Sequence, residues 1–214
     1  MSTYTFTYGR FNPPHAGHEK LVDAVHKHAK GGEYGIHTSQ SQDQKKNPLH
    51  ADEKVGHMKK MFPNHADKIH TNKTVFDALK QAHERGHKNV HMIVGSDRVK
   101  EFHDLVHKYN GHPSSGYKFD KIKVSSAGHR DPDSEDNVEG LSASKMRGHA
   151  ATSDHESFHK GMPKHISKEY SHSLMTTVRD RMAEHPKKKA KVKKESYMTY
   201  NKFVLEALKI NKGL

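Results

Sequence analysis

Apolar positions along the chain follow two alternating periods, one suited to strands and one to helices. The run TYTFTY at 3–8 is β-branched and aromatic and stops at Gly9, which predicts a strand. Over 18–29, Leu21, Val22 and Val25 share one helical face, and Gly31-Gly32 end it. EYGIHTS at 33–39 predicts a second strand, followed by a polar loop to Lys46. The stretch 47–62 predicts a helix capped by Asn47, with Pro48 in its first turn and Pro63 ending it. A weak strand at 67–71 precedes a helix at 75–86 with apolar residues at 75, 76, 79 and 82. NVHMIVG at 89–95 is the clearest buried strand, followed by a helix at 98–109 and a strand at 119–126. Beyond 141 the pattern is helical.

This order predicts an α/β fold: a Rossmann-like, doubly wound parallel sheet with a helical C-terminal part. Ligands of such sheets sit beyond the carboxyl ends of the strands. The loops at 9–18, 38–46, 95–98 and 125–135 therefore gather at one rim. From Pro186 the character changes, with six lysines within the nine positions of PKKKAKVKK. We read residues 1–183 as one domain, 184–195 as a basic linker and 196–214 as an amphipathic tail helix anchored by Phe203, Leu205 and Leu208.

Composition narrows the function. There is no cysteine, which excludes disulfides and thiolate metal sites. The N-terminus lacks the basic start and apolar stretch of a signal peptide. No run approaches the ~18 apolar residues of a membrane span, so a soluble intracellular protein without membrane contact is expected. The formal charge is +12 with all 22 histidines neutral, which attracts polyanions or simply keeps the surface solvated. Scattered, solvent-facing histidine accounts for most of the 22, and HExxH and Walker motifs are absent.

One pair differs. In GRFNPPHAGH, Gly9 ends the first strand, Arg10 and Phe11 follow, and Pro13-Pro14 stiffen a loop that delivers His15 and His18 to a helix start. Gly17 between them allows close backbone approach. Unpaired amides and the helix dipole favour an anion there, and imidazole can donate to phosphate oxygens.

This stretch resembles the His-x-Gly-His signature of the nucleotidyltransferase superfamily, and its Phe-Asn-Pro-Pro context is closest to nicotinamide or nicotinate mononucleotide adenylyltransferases. The family's second signature, Ile-Ser-x-Thr-x-x-Arg, is matched by LSASKMR at 141–147. The resemblance makes Ser142, Ser144, Lys145 and Arg147 a clamp on the leaving phosphates, Ser144 standing where the family has threonine. Ser142 also suits a helix cap. VGSD at 94–97 resembles the family's Gly-x-Asp turn: Gly95 would admit the nucleotide and Asp97 the ribose hydroxyls, although Ser96 or Asp97 would equally cap the next helix. In SAGHRDPD, Arg130 is a candidate to face an anionic co-substrate and Asp131 to orient a polar group of it, and Lys46 after the second strand is a candidate to steady phosphates; each is also read as a plain surface charge.

With these stretches the layout resembles nucleotidyltransferases of large tailed bacteriophages, over roughly residues 1–165. The implied chemistry is transfer of a nucleoside monophosphate unit from a triphosphate, ATP before CTP, to a phosphate-bearing acceptor such as a mononucleotide. Mg²⁺ would arrive with the triphosphate, leaving no protein metal ligand to assign. A different reading is a nucleic-acid-binding or virion-associated protein that keeps the fold and contacts nucleic acid or protein through its basic tail. Cytoplasmic placement, the host's for a phage protein, or placement in a virion follows from these readings. Homo-oligomer formation stays open.

Overall fold

The β-branched and aromatic run after Ser2 forms the central strand of the sheet. The structure is a computed structural model and describes residues 2–128 and 140–183. Its elements are β1 (Thr3–Gly9), α1 (Ala16–Ala29), β2 (Tyr34–Ser39), α2 (Ala51–Met61), β3 (Ile69–Asn72), α3 (Val75–Glu84), β4 (Asn89–Val94), α4 (Val99–Lys108), β5 (Lys121–Ser126), α5 (Ala143–Ala151), α6 (His155–Lys160) and α7 (Lys168–Ala183). All five strands are parallel, in the order β3-β2-β1-β4-β5. The Rossmann-like sheet is the one the alternating periods predict.

Alternation along each strand builds a core on both faces. Tyr4 and Phe6 of β1 join Val90, Met92 and Val94 of β4 under α3 and α4. Ile36 and Ile69 instead pack with Val22 of α1, Met58 and Met61 of α2 and the apolar residues of α5–α7. Gly35 is required where the Tyr4 ring crosses β2, because a Cβ there would meet the Tyr4 hydroxyl at 1.9 Å.

The chain runs outward from β1 to β3, then returns to β4 on the other side of β1. The carboxyl ends of β1 and β4, Gly9 and Val94, thus flank the point where strand order reverses. Such a switch point opens a crevice between the loops that leave in opposite directions.

Three expectations need correction. Helix α2 begins at Ala51 with His50 at its cap position, not at Asn47. Asn47 pairs with Asp43 through both backbone bonds, and Leu49 gives both its backbone groups to the Asn12 side chain, so the chain cannot turn helical earlier. Gly95 and Arg98 hold the cap positions before α4, with no side-chain cap bond, so neither Ser96 nor Asp97 fills that role. Histidine is not confined to the surface either: His15, His37, His65, His87 and His91 are buried. Hydrogen bonding makes this tolerable. His37 lies between the Tyr4 hydroxyl at 2.8 Å and Asn72 Oδ1 at 2.6 Å, and His87 meets Glu33 at 2.9 Å. Arg130, Asp131, the basic linker and the tail helix lie outside the described residues.

Candidate active site

A cleft of about 560 Å³ opens at the switch point, between the loop after β1, the N-termini of α1 and α5, and the turn after β4. Most of the predicted residues meet there. Gly9, Arg10, Phe11, His15, Gly17, His18, Lys46, Gly95, Asp97, Ser142, Ser144 and Arg147 all line it. Lys145 does not line the cleft; its amide donates to Ser142 Oγ at 3.1 Å and completes the α5 cap.

The two histidines are locked by the helix start itself. His15 is the N-cap of α1, and its Nδ1 accepts the Gly17 amide at 3.1 Å. The His15 amide in turn donates to His18 Nδ1 at 3.2 Å. Backbone amides can only donate, so both Nδ1 atoms are acceptors and each neutral ring carries its proton on Nε2. The ring centroids lie 3.8 Å apart, and Phe11 packs 4.8 Å from His18. Phe11 holds a left-handed backbone at φ 48°.

Across the cleft, Ser142 caps α5 and Arg147 lies one turn further on. Its guanidinium donates to the Asn12 carbonyl at 2.7 Å and to Ser144 Oγ at 3.0 Å. The two signatures are thus physically joined. Burial pushes this guanidinium below its ordinary value, Arg10 adds to the shift, and Asp43 opposes it. At Gly95 a Cβ would stand 2.7 Å from Asp97 Oδ1, so a side chain there would displace the Asp97 carboxylate. Lys46 is presented by the Asp43 turn, whose carboxylate accepts the amides of Lys45 and Lys46.

Sequence reasoning missed Asn12 as a structural hub. It is 1% exposed and ties the loop after β1 to Leu49 through bonds of 2.9 and 3.0 Å. It also missed Thr7, which lines the cleft with a buried Oγ1 that has no partner among the described residues. Neither carries a local signal, since both depend on what the fold brings alongside. Among the described residues, the lining holds five cationic side chains, those of Arg10, Lys20, Lys46, Arg98 and Arg147, against the single carboxylate of Asp97. Arg98 is committed to Glu101 by two bonds. The remaining excess suits a ligand with several negative charges.

A family model described as cytidylyltransferase-like matches residues 6–148. The chain belongs to the cytidylyltransferase-like family. The match runs from Phe6 in β1 to Gly148 in α5 and so encloses both halves of the cleft. No curated protein matches the chain. Among solved structures, this family member resembles a bifunctional NMN adenylyltransferase/ADP ribose pyrophosphatase from Francisella tularensis, with a TM-score of 0.51 at 13% identity over 86% of this chain and 53% of that one. The chain thus spans about half the length of the Francisella protein. It is also similar to the Plasmodium falciparum nicotinic acid mononucleotide adenylyltransferase complexed with NaAD, with a TM-score of 0.48 at 14% identity over 86% of this chain and 95% of that one. At such identities the likeness is one of fold.

Proposed function

We propose that the protein transfers the nucleoside monophosphate unit of a triphosphate, ATP before CTP, to a phosphate-bearing acceptor such as a mononucleotide. An oxygen of the acceptor phosphate attacks the α-phosphorus in line, the bond to the bridging oxygen of the β-phosphate breaks, and pyrophosphate leaves. An acceptor phosphate is already ionised at neutral pH, so no general base is required. Catalysis then consists of positioning and charge stabilisation.

The observation that carries this reading is the fixed tautomer of His15 and His18. Two Nε2–H donors, held rigid before any ligand binds, suit the oxygens on which charge grows. Arg147, Ser144 and the amides at the start of α5 suit the departing pyrophosphate. Arg10 and Lys46 suit the acceptor phosphate. The preference for ATP rests on the Phe11-Asn12-Pro13-Pro14 context alone.

Magnesium fits as a companion of the triphosphate, whose charge it would partly neutralise. Among the described residues no group of three or more His, Asp or Glu forms a cage, and Asp97 is the lone carboxylate of the cleft. Asp97 would be the described carboxylate available to an ion delivered with the triphosphate.

The test is a matrix of ATP, CTP, GTP and UTP against nicotinamide and nicotinate mononucleotides and simple phosphomonoesters, read as pyrophosphate release. Release that needs both a triphosphate and a phosphorylated acceptor supports the proposal. Release without acceptor, or none across the matrix, rejects it.

A further inference from the structure

Helix α2 turns Lys54, Met58 and Met61 inward on one stripe at i, i+4 and i+7. Methionine fits that stripe; lysine does not. Lys54 is fully buried, and its Nζ donates to the Ser39 carbonyl at the C-terminal end of β2. Among the described residues no carboxylate pairs with it. Its neighbour Glu53 is held by the His50 amide and by Arg181 of α7. Burying a cation without a counter-ion is costly, and an apolar residue of the same length would serve the packing better.

The placement of this ammonium suggests a purpose. Carbonyl oxygens at the carboxyl ends of parallel strands face the ligand rim and oppose an anion. At this rim they are covered in turn: the Arg10 carbonyl by Thr38 Oγ1, the Asn12 carbonyl by Arg147, and the Ser39 carbonyl by Lys54. Arg10, which lines the cleft, is the charged group that bears on Lys54.

We propose that Lys54 is a positioning residue for phosphate binding: it cancels the Ser39 carbonyl and adds its charge, through the protein, to the potential that Arg10 presents in the cleft. This rests on the phosphate-binding reading of the cleft given above. Lys54 itself does not line the cleft. Burial, with Arg10 adding to it, lowers its ammonium to about 8, so the charge is present at neutral pH and fades on the alkaline side.

The test is calorimetric titration of the full chain with inorganic sulfate, whose charge is constant from pH 7 to 9. Wild-type affinity falls about three- to tenfold between these limits, the scale of losing one charge that acts through the protein. Lys54→Met binds sulfate more weakly by the same factor at pH 7 and shows no change to pH 9. Its melting temperature is read alongside, because removing the buried charge and leaving the Ser39 carbonyl without its donor act in opposite directions. Lys54→Arg, which does not titrate in this range, keeps its affinity at both limits. A wild-type affinity that is flat from pH 7 to 9, or a Lys54→Met that binds as tightly as wild type at pH 7, overturns the proposal. The wild-type profile decides even where a variant folds poorly. Sulfate binding is read without turnover, so failure of the transferase reaction is seen separately.

Discussion

The backbone amide of His15 donates to Nδ1 of His18 across the first turn of α1, at 3.2 Å. One bond thus both closes the helix end and sets the proton of the second ring on Nε2. Replacing His18 by alanine removes a partner of the cap and, on the proposed mechanism, a donor to the reacting phosphates. Pyrophosphate release should fall about 100- to 1,000-fold, as for other pre-organised donors. Urea unfolding should show a loss of about 1 kcal/mol, the usual worth of a cap. Near-normal turnover with only the stability loss would mean that the ring is structural.

Arg147 joins the two halves of the cleft through a planar, two-pronged contact with the Asn12 carbonyl and Ser144. Lysine keeps the charge but cannot make both bonds in one plane. Arg147→Lys is expected to raise the KM for triphosphate and lower kcat, for a combined loss of about 10- to 100-fold in kcat/KM. Steady-state kinetics with varied triphosphate measure it.

Asn12 is a stability prediction. Asn12→Ala strands the Leu49 amide and carbonyl in a buried setting, which should cost about 2 to 4 kcal/mol. The same change frees the loop that carries His15, so turnover falls beyond what partial unfolding explains. Denaturant unfolding and kinetics on the folded fraction separate the two effects.

Gly35→Ala drives a methyl group into the Tyr4 hydroxyl. Overpacking of this kind costs about 1 to 3 kcal/mol, and removing the hydroxyl in Tyr4→Phe should recover part of it. A double-mutant cycle read by urea unfolding checks the coupling.

Burial holds His37 and His91 near pKa 4, well below the ordinary value. A histidine whose folded pKa is depressed binds its proton in the unfolded chain first. The stability that comes from keeping it neutral is complete above about pH 6.5 and is lost as pH falls toward 4, on the order of 3 kcal/mol for His37 and less for His91, whose surroundings are better screened by solvent. Melting temperature should therefore fall steeply between pH 6.5 and 4, and a flat profile there contradicts the assignment.

The sequence made the alternation of strands and helices plain, because its stop signals are local. Gly9, Gly31-Gly32, Pro63 and Gly86 each punctuate a run whose period is clear by itself. The histidine pair and the α5 clamp were equally legible, since their residues sit within one turn of a helix start. What stayed hidden depends on partners far along the chain. Asn12 meets Leu49 across 37 residues, and Arg147 meets Asn12 across 135. Buried histidine was also hidden: a polar ring gives no sign of whether Tyr4, Asn72 or Glu33 will stand beside it. Lys54 was not singled out in the sequence at all; it gains meaning once Ser39 and Arg10 are seen around it.

The fate of the triphosphate's α-phosphorus tests the central claim most directly. With ATP labelled at that position and a phosphorylated acceptor, label should appear in an acceptor–nucleoside diphosphate linkage, one equivalent for each pyrophosphate released. Label recovered only in free nucleoside monophosphate or diphosphate, or a phosphoryl group moved from the γ-position to the acceptor, would contradict nucleotidyl transfer at this cleft.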